Sequence, residues 1–269
     1  MVKLIATDLD GTLMAPDHMT VTQRTKDALF AAHEKGVRIA IATGRTLSFT
    51  VSVTAQIPFA DYVISSNGAA VYDRNEEKYV YSTLIPNKDV IEAVEFLNTL
   101  PVHYHIYLGG RIYIQKSAMS FSADTGLPED FLKDFLSRVQ LCDSLTDVIG
   151  SQDAEVIDVF SMGEHEAEIV ELFRKKNLVM TSAVRGELAA TAVGADKGTA
   201  LSGLCGVLGI TADEVMSFGD AENDCPMLEF AGLSFAMENG NEVCKSAAKA
   251  VAPSNADDGV AQMIEKYAL

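Results

Sequence analysis

Apolar residues run without a break through Leu4-Ile5-Ala6 instead of alternating with polar ones. A run of that kind reads as a strand, residues 3–7, buried on both faces. In "TVTQRTKDALFAAHEKG" the apolar positions recur at helical spacing, Thr20 and Gln23 stand as a capping box, and Gly36 supplies a left-handed end, which predicts a helix. "VRIAIATGR" is a second apolar strand. Strand, helix and strand make a crossover unit whose strands lie parallel and end at one edge, so Asp8, Asp10 and Thr43 are expected to converge. A further short strand is read in "YVISSNGAAVYD", and a hairpin in "VYDRNEEKYVYS" with its polar tip near Asn75.

The rhythm then changes. Pro86 opens a predicted helix, "NKDVIEAVEFLNTL"; "HYHIYLGGRIYIQ" alternates as a hairpin around Gly109 and Gly110; "PEDFLKDFLSRV" reads as a helix, "EVIDVFSMG" as a strand and "EHEAEIVELFRKKN" as a helix. From Gly194 the strand and helix alternation returns, with a helix from Lys197, the strands "EVMSFGD" and "LSFAM", and helices in "CPMLEFAG", "EVCKSAAKA" and "DDGVAQMIEKYA". The expected architecture is an α/β, doubly wound, mostly parallel sheet formed by residues 1–83 and 190–269, with an inserted α+β module at 84–189. No repeat of twenty to fifty residues is visible.

Composition narrows the classes of function. With 269 residues, 48% of them hydrophobic and 22% charged, the chain can bury a substantial core. A formal charge of −17 repels polyanions, so neither nucleic acid nor an anionic membrane is an expected partner. A small phosphorylated molecule would need local cations. Cys142, Cys205, Cys225 and Cys244 are scattered without a C-x-x-C pair, which disfavours a disulfide framework or a zinc knuckle. The chain enters a strand pattern at once instead of a signal-peptide layout, so the cytoplasm is the expected location, with a monomer or small homo-oligomer as the expected assembly.

In an open parallel sheet, ligands bind beyond the carboxyl ends of the strands. Four polar groups fall there: Asp8 and Asp10 after the first strand, Thr43-Gly44-Arg45 after the second, Lys197 at a helix start, and "GDAENDCPML" after a late strand. Singly, an Asp after a strand is most often a cap, Thr43 an N-cap and Arg45 a solvated cation. A lysine at the positive end of a helix is mildly disfavoured and invites an anion. Asp220, Asn223 and Asp224 cannot all cap the helix near Pro226. Two acidic clusters, a hydroxyl and a lysine together describe a site for Mg²⁺ plus phosphate, with one carboxylate to attack phosphorus and its neighbour to handle the leaving-group proton.

The segments "DLDGTL", "ATGR", "SSNGA", "DKGTAL", "GDAENDCPML" and "FAMENGNEVCKSAAKAV" resemble, in order, those of the haloacid dehalogenase superfamily phosphatases, Cof-type sugar phosphatase group. The insert matches the large α/β cap of that group by position and length. The resemblance implies a Mg²⁺-dependent phosphatase for small phosphorylated metabolites. Asp8 would be the nucleophile that forms an aspartyl-phosphate, and Asp10 the general acid and base. Asp8, Asp10 (through its backbone carbonyl), Asp220 and Asp224 would form the metal group, Asp224 by supporting the metal or orienting the lysine. Thr43, Gly44, Arg45, Lys197, the Leu9 backbone, Asn67 and Asn223 would bind the phosphoryl group and substrate. One departure is Glu238-Asn239-Gly240, where the group reads Gly-Asn-Ala. A phosphomutase, or a phospho-acceptor switch like a response-regulator receiver, are the alternatives.

Three other signals are read as structural. His103 and His105 share a strand face without a third metal ligand, so they are expected as a surface or core pair. "GLCGVLG" places its glycines inside a helix pattern, as expected for close packing. Phe131, Phe135 and Leu136 form a helical stripe in the insert.

Overall fold

A sheet covered on both faces accounts for the unbroken apolar runs. The computed structural model describes residues 1–118, 135–182 and 186–269. These form two units, one of residues 1–82 and 195–269 and the other of residues 83–194.

The first unit is built on eight strands: Ala250–Ala252 (β14), Leu233–Met237 (β13), Val215–Gly219 (β12), Leu4–Thr7 (β1), Arg38–Ala42 (β2), Tyr62–Ser65 (β3), Ala70–Asp73 (β4) and Lys78–Ser82 (β5), in that spatial order. All pairings from β14 to β3 are parallel, while β4 and β5 add an antiparallel edge. Side chains alternate across a strand. Ile5, Ile39, Ile41, Met216 and Phe218 therefore enter one core with Leu29 and Ala32 of helix Gln23–Glu34 and Val260 and Ile264 of helix Gly259–Tyr267. Leu4, Ala6, Ala40 and Ala42 enter the other, with Leu201, Leu204 and Cys205 of helix Lys197–Leu208.

The chain leaves β1 toward β2 on one side and returns to β12 on the other, so strand order reverses at β1. Such a reversal opens a crevice at the carboxyl ends of the two strands. Asp8 and Asp220 follow the two strands that flank it.

The doubly wound class holds, and several local readings change. The first helix is capped by Thr22, whose hydroxyl accepts from the Thr25 amide at 3.2 Å, not by Thr20. "YVISSNGAAVYD" is two strands, β3 and β4, with a reversal between them. Ser66 and Asn67 both take left-handed φ values, 51° and 55°. Gly68 follows at φ 100°, and a Cβ there would lie 2.2 Å from the Asp196 carbonyl oxygen, so only glycine fits.

The second unit holds a six-stranded sheet, in the order Leu178–Thr181 (β10), Glu187–Ala192 (β11), Val156–Phe160 (β9), His103–Leu108 (β6), Arg111–Gln115 (β7) and Gln140–Cys142 (β8). Its pairings are antiparallel except between β7 and β8. A boundary at 189/190 would cut β11, which pairs with β9 and β10 in this sheet. Helices Asn87–Leu97 and Glu166–Lys175 bury Val90, Val94, Leu97, Ile169 and Phe173. The Tyr104 hydroxyl on β6 donates to Asn98 Oδ1 at 2.7 Å, tying the sheet to the end of the first of these helices.

Residues 135–138 are helical, whereas Phe131 and the rest of the helix expected from Pro128 lie outside the described residues. His103 and His105 are a buried pair, 9% and 6% exposed, with their Nε2 atoms 2.7 Å apart. Burial pushes both imidazoles down, His105 to about 3, so they stay neutral at physiological pH.

Two stability predictions follow from this packing. A Cβ at Gly203 would meet the Tyr81 ring at 2.4 Å, whereas Gly206 has nothing within 4 Å. Gly203→Ala is expected to lower unfolding free energy by about 1–3 kcal/mol, and Gly206→Ala to raise it by up to about 1 kcal/mol, as read by urea unfolding.

The second concerns Asp158 on β9, whose carboxyl is pushed up to about 7 by burial and the Glu187 charge, against a 3.1 Å hydrogen bond from the Tyr107 hydroxyl. The folded protein then binds more protons than the unfolded chain between the ordinary carboxylate range and pH 7, so stability falls as pH rises through that window. Asp158→Asn should stabilise the protein at pH 8, by on the order of 4 kcal/mol at most. Thermal melts should show the gain shrinking toward pH 4.

Candidate active site

The loop after β1 is a wide turn, Leu9–Leu13, and its Gly-Thr pair is explained by a distant partner. Gly11 sits at φ 80°, and a Cβ there would come within 2.4 Å of Asp220 Oδ2. Thr12 is buried and donates its hydroxyl to Asp220 Oδ1 at 2.7 Å. Glycine and threonine thus seat the β1 loop on the β12 loop. Asn239 adds a third tie, its Nδ2 donating to the Gly11 carbonyl at 2.8 Å, and the Asn241 amide donates to the Asp220 carbonyl at 3.0 Å. The departure at Glu238-Asn239-Gly240 therefore keeps an asparagine in contact with the site. The same loop approaches closely at Gly240, where a Cβ would stand 2.8 Å from the Asp220 carbonyl oxygen.

Lys197 is the first residue of helix Lys197–Leu208, which Asp196 caps by accepting from the Thr199 amide at 2.8 Å. Its side chain is wholly buried, and Nζ donates to Asp8 Oδ1 at 2.7 Å and to Asp224 Oδ1 at 2.6 Å. Asp224 is equally buried, and its other oxygen accepts from the Asp220 and Ala221 amides at 2.9 and 3.0 Å. Both oxygens of Asp224 are thus engaged in holding the lysine and the loop. Burial alone would push the Lys197 ammonium down, but the two carboxylates beside it hold it above its ordinary value. Burial pushes the Asp8 carboxyl up, Lys197 opposes, and the charges of Asp224 and Asp220 add to the rise. Asp220 is shifted up as well, mainly by burial, against its hydrogen bond from Thr12.

Carboxylate oxygens of Asp8, Asp220 and Asp224 all lie within 4.8 Å of one another. This all-oxygen set, in which the Asp8 and Asp220 carboxyls are raised by burial and by the Asp224 charge, fits a hard divalent cation, which would relieve that repulsion. The Asp10 carboxylate is engaged elsewhere. Both its oxygens accept from Arg45, Oδ2 from Nε at 2.9 Å and Oδ1 from Nη2 at 2.6 Å. His18 Nδ1 stands 3.6 Å from the same Oδ1. Arg45, expected among the phosphate-binding residues, instead has its guanidinium on a carboxylate.

The remaining expected residues fall beside this cluster. Thr43 is buried after β2, with its hydroxyl oxygen accepting from the Arg45 amide at 3.1 Å. Asn67 donates its amide to the Thr43 carbonyl, and its Oδ1 accepts from Asn223 Nδ2 at 2.9 Å. Gly44 lies against Asn67, with Oδ1 3.0 Å from where a Cβ would be. Leu9 is wholly buried, with its side chain in the core. The parts not foreseen were Thr12 and Asn239 as loop ties and His18 beside Asp10. Thr12 stood inside the quoted motif, and Asn239 inside the departure from it.

Residues 5–264 match the haloacid dehalogenase-like hydrolase family. Phosphatase YwpJ of Bacillus subtilis is 30% identical over 98% of this chain and 99% of its own. The 5-amino-6-(5-phospho-D-ribitylamino)uracil phosphatase YcsE of the same organism is 28% identical over 100% of this chain and 96% of its own. Among solved structures, the subclass IIB sugar phosphatase BT4131 superposes with a TM-score of 0.76 at 25% identity, covering 99% of each chain.

Removing the buried ammonium strands two carboxylates. Lys197→Met should lower unfolding free energy by about 3–5 kcal/mol in chemical denaturation at neutral pH, and adding Asp224→Asn should recover part of the loss.

Proposed function

The chain belongs to the haloacid dehalogenase-like hydrolase family and is a phosphoric monoester hydrolase, and on that premise we propose that it hydrolyses small sugar or polyol phosphates in the cytoplasm through a phosphoryl group carried on Asp8. The observation that carries this reading is the Lys197 ammonium buried against Asp8 and Asp224, with Asp220 completing an oxygen cluster beside it. The four free cysteines suit a compartment where thiols stay reduced.

Asp8 is the nucleophile: its carboxylate forms a bond to phosphorus as the bond from phosphorus to the alcohol oxygen breaks. Asp10 gives a proton to the departing oxygen and then takes one from the water that attacks the aspartyl-phosphate, returning Asp8 and releasing phosphate. Lys197, the Thr43 hydroxyl, Asn223 and backbone amides near Leu9 and Gly44 orient the phosphoryl group and offset its charge. Asp224 keeps the ammonium in place. Asp8, Asp220 and the Asp10 backbone carbonyl would hold Mg²⁺, which would supply further neutralisation of the phosphoryl oxygens. Selection of the ester is assigned to the 83–194 unit. The ribityl phosphate and sugar substrates named for YcsE and BT4131 support the choice of substrate class.

A panel of sugar, polyol and nucleotide phosphates should reveal broad, modest phosphate release, strongest on the sugar and polyol esters. EDTA should abolish it and Mg²⁺ restore it, and Asp8→Asn should lower it at least about a thousandfold. Turnover retained in EDTA or in Asp8→Asn would overturn the proposal.

A further inference from the structure

Resting on that reading, we infer that Arg45 is the positioning residue of the proton donor: it holds the Asp10 carboxylate, not the phosphoryl group, and sets the orientation in which the proton reaches the leaving oxygen. The Arg45 backbone is fixed on both sides, its amide donating to Thr43 Oγ1 at 3.1 Å and its carbonyl accepting from the Ser66 amide at 2.9 Å. The side chain therefore leaves from an anchored position and meets Asp10 as a fork, with Nε on one oxygen at 2.9 Å and Nη2 on the other at 2.6 Å. Two parallel bonds fix the plane of a carboxylate in a way one bond cannot.

Each carboxylate oxygen has a second lone pair, so one of them can still carry the transferred proton while the fork is in place. A proton donor acts only within hydrogen-bond reach of its acceptor, and the Asp10 side chain projects from a largely buried loop with 42% of its surface accessible. His18 approaches Oδ1 only at 3.6 Å and is 62% exposed, so the guanidinium is the principal restraint. A lysine offers a point charge without the fork and could not replace it fully.

The test exploits the leaving group. An alkoxide, as in a hexose 6-phosphate, needs a proton to depart, whereas p-nitrophenolate departs readily without one. kcat/KM covers steps only through departure of that group, so it isolates the proton donation from the later attack by water. With Mg²⁺ present, Arg45→Ala should lower kcat/KM for the hexose phosphate about a hundredfold and for p-nitrophenyl phosphate about tenfold or less. Arg45→Lys should keep the thermal midpoint of the wild type and still lose selectively on the hexose ester, so it carries the test if the alanine variant does not fold. Equal loss on both esters, or a wild-type ratio in Arg45→Lys, would overturn the inference and leave the phosphatase reading standing. Wild-type enzyme releasing no phosphate from either ester would overturn that reading, and this inference with it.

Discussion

A lysine ammonium with no access to water, shared between two carboxylates, is the constraint around which the first unit is organised. Burying one charge is unfavourable by several kcal/mol, and burying three is tolerable only when each is paired at close range. Lys197 meets this demand by starting a helix at the carboxyl end of the sheet, with its ammonium 2.7 Å from Asp8 and 2.6 Å from Asp224. Asp224 in turn spends its second oxygen on the backbone amides of its own loop. One side chain therefore connects the end of β1, the start of the helix and the β12 loop.

The rest of the site is fitted to that centre by close contacts across large sequence separations. Gly11 and Thr12 touch Asp220, Asn239 reaches back to Gly11, and Gly68 lies against the backbone at Asp196. None of these contacts is strong alone. Together they bring five chain segments to the point where strand order reverses, and they leave a cluster of carboxylates there. The net charge of −17 repels polyanions at long range, and at the site itself Lys197 and Arg45 stand against the carboxylates of Asp8, Asp10, Asp220 and Asp224, so a phosphoryl group there would need a further cation.

The layout of the sheet and the residues that gather at its edge were legible because they depend on local signals. Unbroken apolar runs marked β1 and β2, and the D-x-D-G-T string is too unusual in charge and spacing to be an ordinary turn. What escaped was set by tertiary partners or by very short elements. That Arg45 pairs with Asp10, 35 residues away, cannot be read from either motif. The reversal at Ser66-Asn67 was hidden because non-glycine residues seldom take left-handed backbone, and the surrounding residues read as one strand. The strands β8, β10 and β14, of three or four residues each, are too short to show any period. The cap at Thr22 in place of Thr20 reflects two threonines separated by one residue, either of which has the chemistry of a cap.

The central claim is that phosphorus passes through a covalent bond to Asp8. The most direct test is the stereochemistry of transfer, followed with a substrate whose phosphoryl group is made chiral with oxygen isotopes. Two successive in-line displacements, first onto Asp8 and then onto water, predict net retention of configuration at phosphorus. Net inversion would mean a single direct attack by water and would contradict the account.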